Sequence, residues 1–161
     1  MLLYIVRHAW AEERDDTHWP DDLLRPLTPD GVDRFERMVK KLHKVGFAPE
    51  LVATSPAVRC QQTAEIISKR TGNPEVIPAG PLAPGSDLAA MHSWMADHPK
   101  NTVAWVGHAP DVGRLTARLI GNGELNIRFA KGAIAAIRFE STVQAGAGEL
   151  QWLATAKLLS K

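Results

Sequence analysis

The sequence has 161 residues, of which 45% are hydrophobic and 23% are charged, the composition of an ordinary folded domain. Its 19 basic and 18 acidic side chains leave a net charge of +1, so no overall positive field attracts nucleic acid or an anionic membrane. The sequence contains no uninterrupted apolar run of the ~20 residues that a membrane-spanning helix needs. We therefore expect residues 1–161 to form a single domain and a monomer, with neither nucleic acid nor a membrane as partner.

The first predicted element is a strand at residues 2–6, an apolar run that is rich in β-favouring side chains and lacks helical spacing. The run is too short for the core of a signal peptide and has no basic leader. Cys60 is the single cysteine and cannot form an intramolecular disulfide, so we expect a cytoplasmic protein. Residues 10–25 are predicted to be a long acidic loop, because they contain six acidic side chains and Pro20.

A helix is predicted after this loop, with Thr28 as its N-cap and Pro29 as its first residue. Its apolar residues recur at the spacing of one buried stripe, and Gly46 ends the pattern. A second short strand is predicted at residues 51–54, where β-favouring residues follow one another.

Two further helices are predicted from their capping residues. Ser55 and Pro56 repeat the cap-and-proline signal and predict a helix that runs to about Thr71. Ser86 is the predicted cap of the next helix, whose apolar spacing ends before Pro99.

The last third of the chain predicts a strand at residues 102–106, a helix from Pro110 to Gly121, and two strands at 133–139 and 149–155 that pair as a hairpin. Strands that alternate with helices over short loops are typical of α/β folds. The sequence therefore predicts a three-layer α/β/α sandwich with a mostly parallel sheet.

Polar side chains follow three of these strands. Arg7 and His8 follow the first strand, Ser55 and Arg59 follow the second, and His108 follows the strand at 102–106. Ligands of open α/β sheets bind beyond the carboxyl ends of the strands. Two guanidinium groups and two imidazoles repel one another unless an anion lies between them, and guanidinium forks match phosphoryl oxygens. The sequence therefore predicts a phosphoryl site at this edge, with Ser55 among its binding groups.

The same residues predict a nucleophile. A neutral imidazole attacks phosphorus readily at pH 7, so we expect a phosphohistidine intermediate on His8. Cys60 has Ile66 six positions later, where a cysteine-based phosphatase needs arginine, and no glycine-rich phosphate loop with lysine occurs. No metal and no other cofactor is predicted, because the remaining histidines share no ligand spacing. These are His18, His43, His92 and His98.

Three segments together resemble the histidine phosphatase, or phosphoglycerate mutase-like, superfamily. They are Arg7-His8-Ala9, the segment 54–64 (TSPAVRCQQTA), and Val106-Gly107-His108. Within that superfamily, the small size and the segment 25–31 (RPLTPDG) resemble the SixA-type phosphohistidine phosphatases. The resemblance implies a phosphoglycerate mutase-like fold.

The resemblance also implies roles for single residues. His8 is the implied nucleophile, Arg7 and Arg59 are the implied phosphate clamps, and His108 is the implied second imidazole on the phosphoryl oxygens. We add Arg25 to the substrate-binding candidates, although its expected part is to tie the acidic loop to the edge of the site.

The proton donor stays open at this point. Ala9 stands where glycine is commonest in the superfamily, and residues 82–87 offer no glutamate where its larger members place a glutamate acid. Asp87, Asp15 and Asp16 are the candidate donors, with Asp87 ranked first. Expelling an alkoxide needs a proton more than expelling an imidazole does, so the missing glutamate favours a phosphoramidate substrate.

Three functions remain. The first is the removal of phosphate from phosphohistidine on a carrier protein, the second is hydrolysis of a small phosphate ester, and the third is phosphoryl binding without turnover. A pure binding module gains little from a nucleophile at the strand end, which argues against the third.

Overall fold

A computed structural model describes residues 1–159, so residues 160 and 161 of the expected domain lie outside the described residues. The described residues form one six-stranded sheet in the order β3-β2-β4-β1-β5-β6. The strands are β1 (Leu2–Arg7), β2 (Leu51–Thr54), β3 (Glu75–Pro78), β4 (Thr102–Gly107), β5 (Ile134–Arg138) and β6 (Glu149–Ala154). Strands β1 to β4 are parallel to one another, while β5 is antiparallel to both β1 and β6.

The helices lie on both faces of this sheet. They are α1 (Pro29–His43), α2 (Val58–Arg70), α3 (Leu88–Asp97), α4 (Asp111–Ile120) and the short α5 (Ala156–Leu159). Single 3-10 turns occur at Asp22–Leu24 and Gly80–Leu82. Within residues 1–159, no helix is long and apolar enough to cross a membrane.

Two apolar cores separate the layers, because side chains of a strand alternate between the faces of its sheet. On one face, Tyr4 and Val6 of β1 belong to the core that α1 and α2 cover. On the other face, Leu3 and Ile5 belong to the core that contains the buried residues of α3 and α4. The predicted three-layer α/β/α sandwich with a mostly parallel sheet is confirmed.

The register of the sheet brings three strand ends to one edge. Arg7 of β1 is opposite Gly107 of β4, and Thr54 of β2 is opposite Val106. The backbone N–H of His8 then donates to Gly107 O at 3.0 Å. The residues that follow β1, β2 and β4 are therefore neighbours in space although they are far apart in sequence.

One strand of the parallel sheet was not predicted. β3 has only four residues, two exposed and two partly buried, and it lies at the edge of the sheet beyond β2. An exposed edge strand carries neither the apolar run nor the strict alternation by which buried strands are recognised.

The two predicted serine caps were wrong. α2 has Ala57 at its N-cap and begins at Val58, while the Ser55 hydroxyl contacts His108 and accepts from the N–H of Ala57 at 3.4 Å. α3 is capped by Asp87 and not by Ser86. In both cases the true cap lies one or two positions further along, a shift that capping chemistry alone does not resolve.

Candidate active site

His8 follows β1 directly and is 7% exposed. Its Nδ1 lies 2.8 Å from the carbonyl oxygen of Ala9. A carbonyl oxygen only accepts, so Nδ1 must carry the proton and donate it. The Nε2 atom therefore carries the lone pair, and no residue within 1–159 donates a hydrogen bond to it.

The environment of His8 keeps its ring neutral. Burial, helped by the charge of Arg59 and the proximity of His108 and Arg7, lowers the pKa of His8 from the ordinary 6.5 to about 3, although the hydrogen bond to Ala9 opposes the shift. A neutral ring with its lone pair on Nε2 is the nucleophilic form of histidine at pH 7.

Arg7, the last residue of β1, is held by the loop that precedes β5. Its Nη1 donates to the carbonyl oxygen of Phe129 at 2.8 Å. Burial lowers the pKa of the guanidinium, and the nearby positive charge of Arg128 adds to this. Its Nε–H is buried and has no hydrogen-bond partner in the described part of the chain.

Arg59 lies in the first turn of α2 and is 4% exposed. Nη1 donates to the main-chain oxygen of Asp22 at 2.6 Å, and Nη2 lies 3.0 Å from Oδ2 of the same residue. Nη2 also lies 3.1 Å from Nδ1 of His108. As in Arg7, the Nε–H is buried and unpaired among residues 1–159.

His108 follows β4 and is 5% exposed. Its Nδ1 must accept from Arg59, because a guanidinium has only donors, so the proton of the neutral ring is on Nε2. Nε2 then donates to the hydroxyl of Ser55 at 2.8 Å. Burial, followed by the charge of Arg59, lowers the pKa of His108 to about 4, while Asp111 and Asp22 oppose the shift.

Thr63 connects two of these segments, a role that sequence analysis missed. Its hydroxyl donates to the carbonyl oxygen of Arg59 at 2.6 Å and accepts from the N–H of Ala9 at 3.0 Å. The residue after His8 is thereby joined to the first turn of α2. The spacing of four residues between Arg59 and Thr63 on a helix was the available signal.

Arg25 and Asp22 come from the acidic loop. Nε of Arg25 lies 2.9 Å from Oδ1 of Asp22, and its Nη1 donates to the carbonyl oxygen of Glu12 at 2.7 Å. Arg25 thus contacts Asp22, which in turn contacts Arg59. Asp22 was missed as a site residue, because nothing distinguishes it in sequence from the other five acidic residues of the loop.

The three candidate proton donors have their hydrogen-bond partners outside this cluster. The exposed Asp87 accepts from the N–H groups of Ala89 and Ala90 at 2.9 and 3.1 Å, as the N-cap of α3.

Asp15 pairs with Nδ1 of His18 at 2.5 Å, and Asp16 pairs with Arg14 at 3.4 Å. Within residues 1–159, none of the three carboxylates makes a hydrogen bond or ion pair with the predicted clamp or nucleophile residues.

Cys60 lies beside the site without the properties of a nucleophile. Its Sγ is 3.5 Å from Nε2 of His108, and burial raises the pKa of the thiol to about 12. The thiolate form is therefore not populated at pH 7. The described residues also contain no group of three or more His, Cys, Asp or Glu side chains that could hold a metal ion.

Comparisons with known proteins identify similar sequences and a similar fold. Residues 3–80 match the model of the histidine phosphatase superfamily, branch 1. Phosphohistidine phosphatase SixA of Escherichia coli K12 is 30% identical over 158 residues, which cover 94% of this chain and 92% of that protein. An uncharacterized protein of Picosynechococcus sp. is 35% identical over 116 residues, or 70% of this chain and 69% of its own length.

A solved structure is similar over the whole length. The protein histidine phosphatase SixA complexed with tungstate has a TM-score of 0.84 and 27% identity, and the match covers 99% of both chains. The match extends beyond residues 3–80, so it includes β4 and His108, which follows that strand.

Proposed function

Since the chain belongs to the histidine phosphatase superfamily and is a SixA-like phosphatase, we propose that its substrate is phosphohistidine on a protein and that His8 is its nucleophile. Residues 1–161 act in this proposal as one phosphatase domain. Arg7 and Arg59 bind the phosphoryl group, and His108 and Ser55 support Arg59.

The observation that carries the proposal is a pair of unpaired donors beside a neutral nucleophile. The Nε–H groups of Arg7 and Arg59 are buried and have no acceptor within residues 1–159, an arrangement that costs free energy unless a ligand supplies oxygens. Two positive charges and a tetrahedral set of oxygens complement each other. The similar SixA structure is complexed with tungstate, a tetrahedral oxyanion, which supports an oxyanion as the ligand here.

The proposed reaction has two steps. In the first, the lone pair of His8 Nε2 forms a bond to phosphorus while the P–N bond of the substrate breaks. The substrate ring, protonated by solvent at its other nitrogen, leaves as neutral imidazole. In the second, water attacks phosphorus, the bond to Nε2 breaks, and the electron pair returns to His8. The protons of the water remain with the inorganic phosphate and solvent.

Each residue has a defined part in these steps. The hydrogen bond from His8 Nδ1 to the carbonyl oxygen of Ala9 fixes the ring and directs Nε2 to the phosphorus. The guanidinium groups of Arg7 and Arg59 stabilise the charge that spreads over the equatorial oxygens. His108 holds Arg59 through Nδ1 and is itself held through Nε2 by Ser55.

The choice of a phosphoramidate substrate rests on the position of the carboxylates. The candidate donors Asp87, Asp15 and Asp16 are bound elsewhere, as caps or in exposed ion pairs. An ester oxygen is a poor leaving group without a proton donor, whereas imidazole leaves without one. The name of the E. coli relative points to the same substrate class.

A direct comparison of substrates tests the proposal. Purified protein is assayed on a phosphohistidine-bearing carrier protein and on a panel of sugar phosphates, with release of inorganic phosphate as the readout. We expect a much higher kcat/KM on the carrier. Hydrolysis of esters alone would contradict the proposed substrate, and phosphate binding without turnover of either would identify a binding module.

The intermediate is tested separately by rapid quenching with labelled substrate. A phosphohistidine on His8 is expected to be stable in alkali and labile in acid. Label that is stable in acid, or label that persists in a His8→Ala variant, would contradict His8 as the nucleophile.

A further inference from the structure

The carboxylate of Asp22 contacts the phosphoryl clamp proposed above, although it comes from the acidic loop and not from a strand end. Its Oδ2 lies 3.0 Å from Nη2 of Arg59, and its main-chain oxygen accepts from Nη1 at 2.6 Å. Its Oδ1 lies 2.9 Å from Nε of Arg25. Asp22 therefore joins two arginine side chains that are only 4% and 16% exposed.

The main-chain oxygen and Oδ2 of Asp22 occupy one edge of the Arg59 guanidinium, the edge formed by Nη1 and Nη2. Nη2 also donates to Nδ1 of His108, while Nε–H is buried and unpaired within the described residues. Asp22 thus binds the Nη1–Nη2 edge, and the Nε–H group remains as a donor for a ligand. A guanidinium is planar and rigid, so fixing one edge also fixes the direction of Nε–H.

From this geometry we infer that Asp22 is a positioning residue, whose carboxylate orients Arg59 so that Nε–H points at the phosphoryl group beside His8. The inference rests on the proposed function of this site. Arg25 takes part by holding the second carboxylate oxygen of Asp22 and, through Nη1, the main chain at Glu12.

A different role would follow if the Asp22 carboxylate occupied the place of a phosphoryl oxygen. Asp22 would then compete with the ligand, and its removal would strengthen phosphate binding. Removal of a positioning residue weakens binding, because a mobile Arg59 loses conformational entropy when it orders around the ligand. The sign of the change in phosphate affinity therefore separates the two roles.

The first experiment measures inorganic phosphate affinity by titration calorimetry for the wild type, Asp22→Ala and Asp22→Asn. We expect Asp22→Ala to weaken binding about tenfold, the value of one charge-assisted hydrogen bond. Asp22→Asn keeps the shape and one acceptor oxygen, so its loss is expected to be smaller. Tighter phosphate binding in either variant would overturn the inference.

Asp21→Ala is the matched control. Asp21 is exposed and caps the same 3-10 turn through the N–H of Leu23 at 2.9 Å, and its carboxylate makes no ion pair within residues 1–159. Phosphate affinity is expected to change less than about twofold in this variant. An equal loss in Asp21→Ala and Asp22→Ala would mean that the loop conformation alone matters, which would overturn the inference.

A double-mutant cycle tests whether Asp22 acts through Arg59. Turnover of a phosphate substrate is measured for Asp22→Ala in the wild-type and in the Arg59→Ala background. A positioning role requires that Asp22→Ala adds less than about twofold once Arg59 is absent. Full additivity would overturn the inference and leave the proposed function intact, whereas a wild type without phosphate affinity or turnover would overturn both.

Discussion

The imidazole rings of His8 and His108 lie 5.5 Å apart between their centres, with 60° between their planes. The sheet brings them together, because β1 and β4 are neighbours whose ends are in register. Their hydrogen bonds differ: His8 donates through Nδ1 alone, whereas both nitrogens of His108 are bound by Ser55 and Arg59. We therefore expect replacement of His8 to remove the nucleophile, and replacement of His108 to remove a support of Arg59.

The first prediction concerns His8. His8→Ala is expected to lower kcat by at least about 10³-fold, because the covalent route is lost while binding groups remain. Its melting temperature is expected to stay close to wild type, since the ring fills the site and not one of the two apolar cores. His43→Ala, which replaces an exposed histidine at the end of α1, is the control. Equal activity in the two variants would contradict the prediction.

The second prediction concerns the clamp. Arg59→Ala is expected to lower kcat/KM by the equivalent of about 2 to 4 kcal/mol, because a charge-assisted contact to the transition state is removed. Arg70→Ala serves as the control, because Arg70 ends the same helix, is 43% exposed in its side chain and pairs with Glu36. Steady-state kinetics of both variants provide the measurement. Unchanged catalytic efficiency in Arg59→Ala would remove Arg59 from the site.

The third prediction is a loss of stability on the acid side. The pKa values of His8 and His108 are lowered to about 3 and about 4 in the native state, against 6.5 ordinarily. Below pH ~6.5 the unfolded chain therefore binds more protons than the native state. The free energy of unfolding consequently decreases as the pH is lowered. The contribution of these histidines is complete above pH ~6.5 and is lost as pH falls toward the native-state values.

Calorimetric melting temperatures between pH ~7.5 and ~4.5 test this effect. The double variant His8→Asn/His108→Asn lacks both titrating rings, so its melting temperature is expected to fall less steeply than that of the wild type over the same range. Parallel curves for the two proteins would show that other groups cause the acid sensitivity.

The fourth prediction separates two roles of Asp87. Asp87→Ala removes the N-cap of α3 and is expected to destabilise the protein by about 1 kcal/mol. Asp87→Asn retains a capping oxygen and removes only the ability to donate a proton. We expect its phosphohistidine turnover to match the wild type, because imidazole leaves without strong acid assistance.

Ester turnover provides the contrast for the same variants. If Asp87 supplies a proton to an ester oxygen, Asp87→Asn slows ester hydrolysis much more than phosphohistidine hydrolysis. Asp15→Asn and Asp16→Asn are compared in parallel, since they are the other two candidates. Equal slowing on both substrates would exclude a donor role for Asp87.

The sequence alone determined the layers of the fold and the neighbourhood of the site. Buried strands such as 2–6 and 102–106 are continuous apolar runs, so they are visible without tertiary information. Residues that directly follow such strands, including His8 and His108, are placed at one edge by the rule for parallel sheets. The cap-and-proline signal at Ser55 and Pro56 predicted the helix whose first turn carries Arg59.

Only the tertiary structure decided which side chains serve these residues. Asp22 reaches Arg59 across 37 positions and Ser55 reaches His108 across 53, so no local pattern links them, and Arg25 joins the site only through Asp22. Their contacts depend on where the acidic loop lies over α2, and many loop conformations are compatible with the same composition. Capping chemistry likewise predicted that Ser55 would begin a helix, whereas its burial beside His108 gave it a different hydrogen-bond partner.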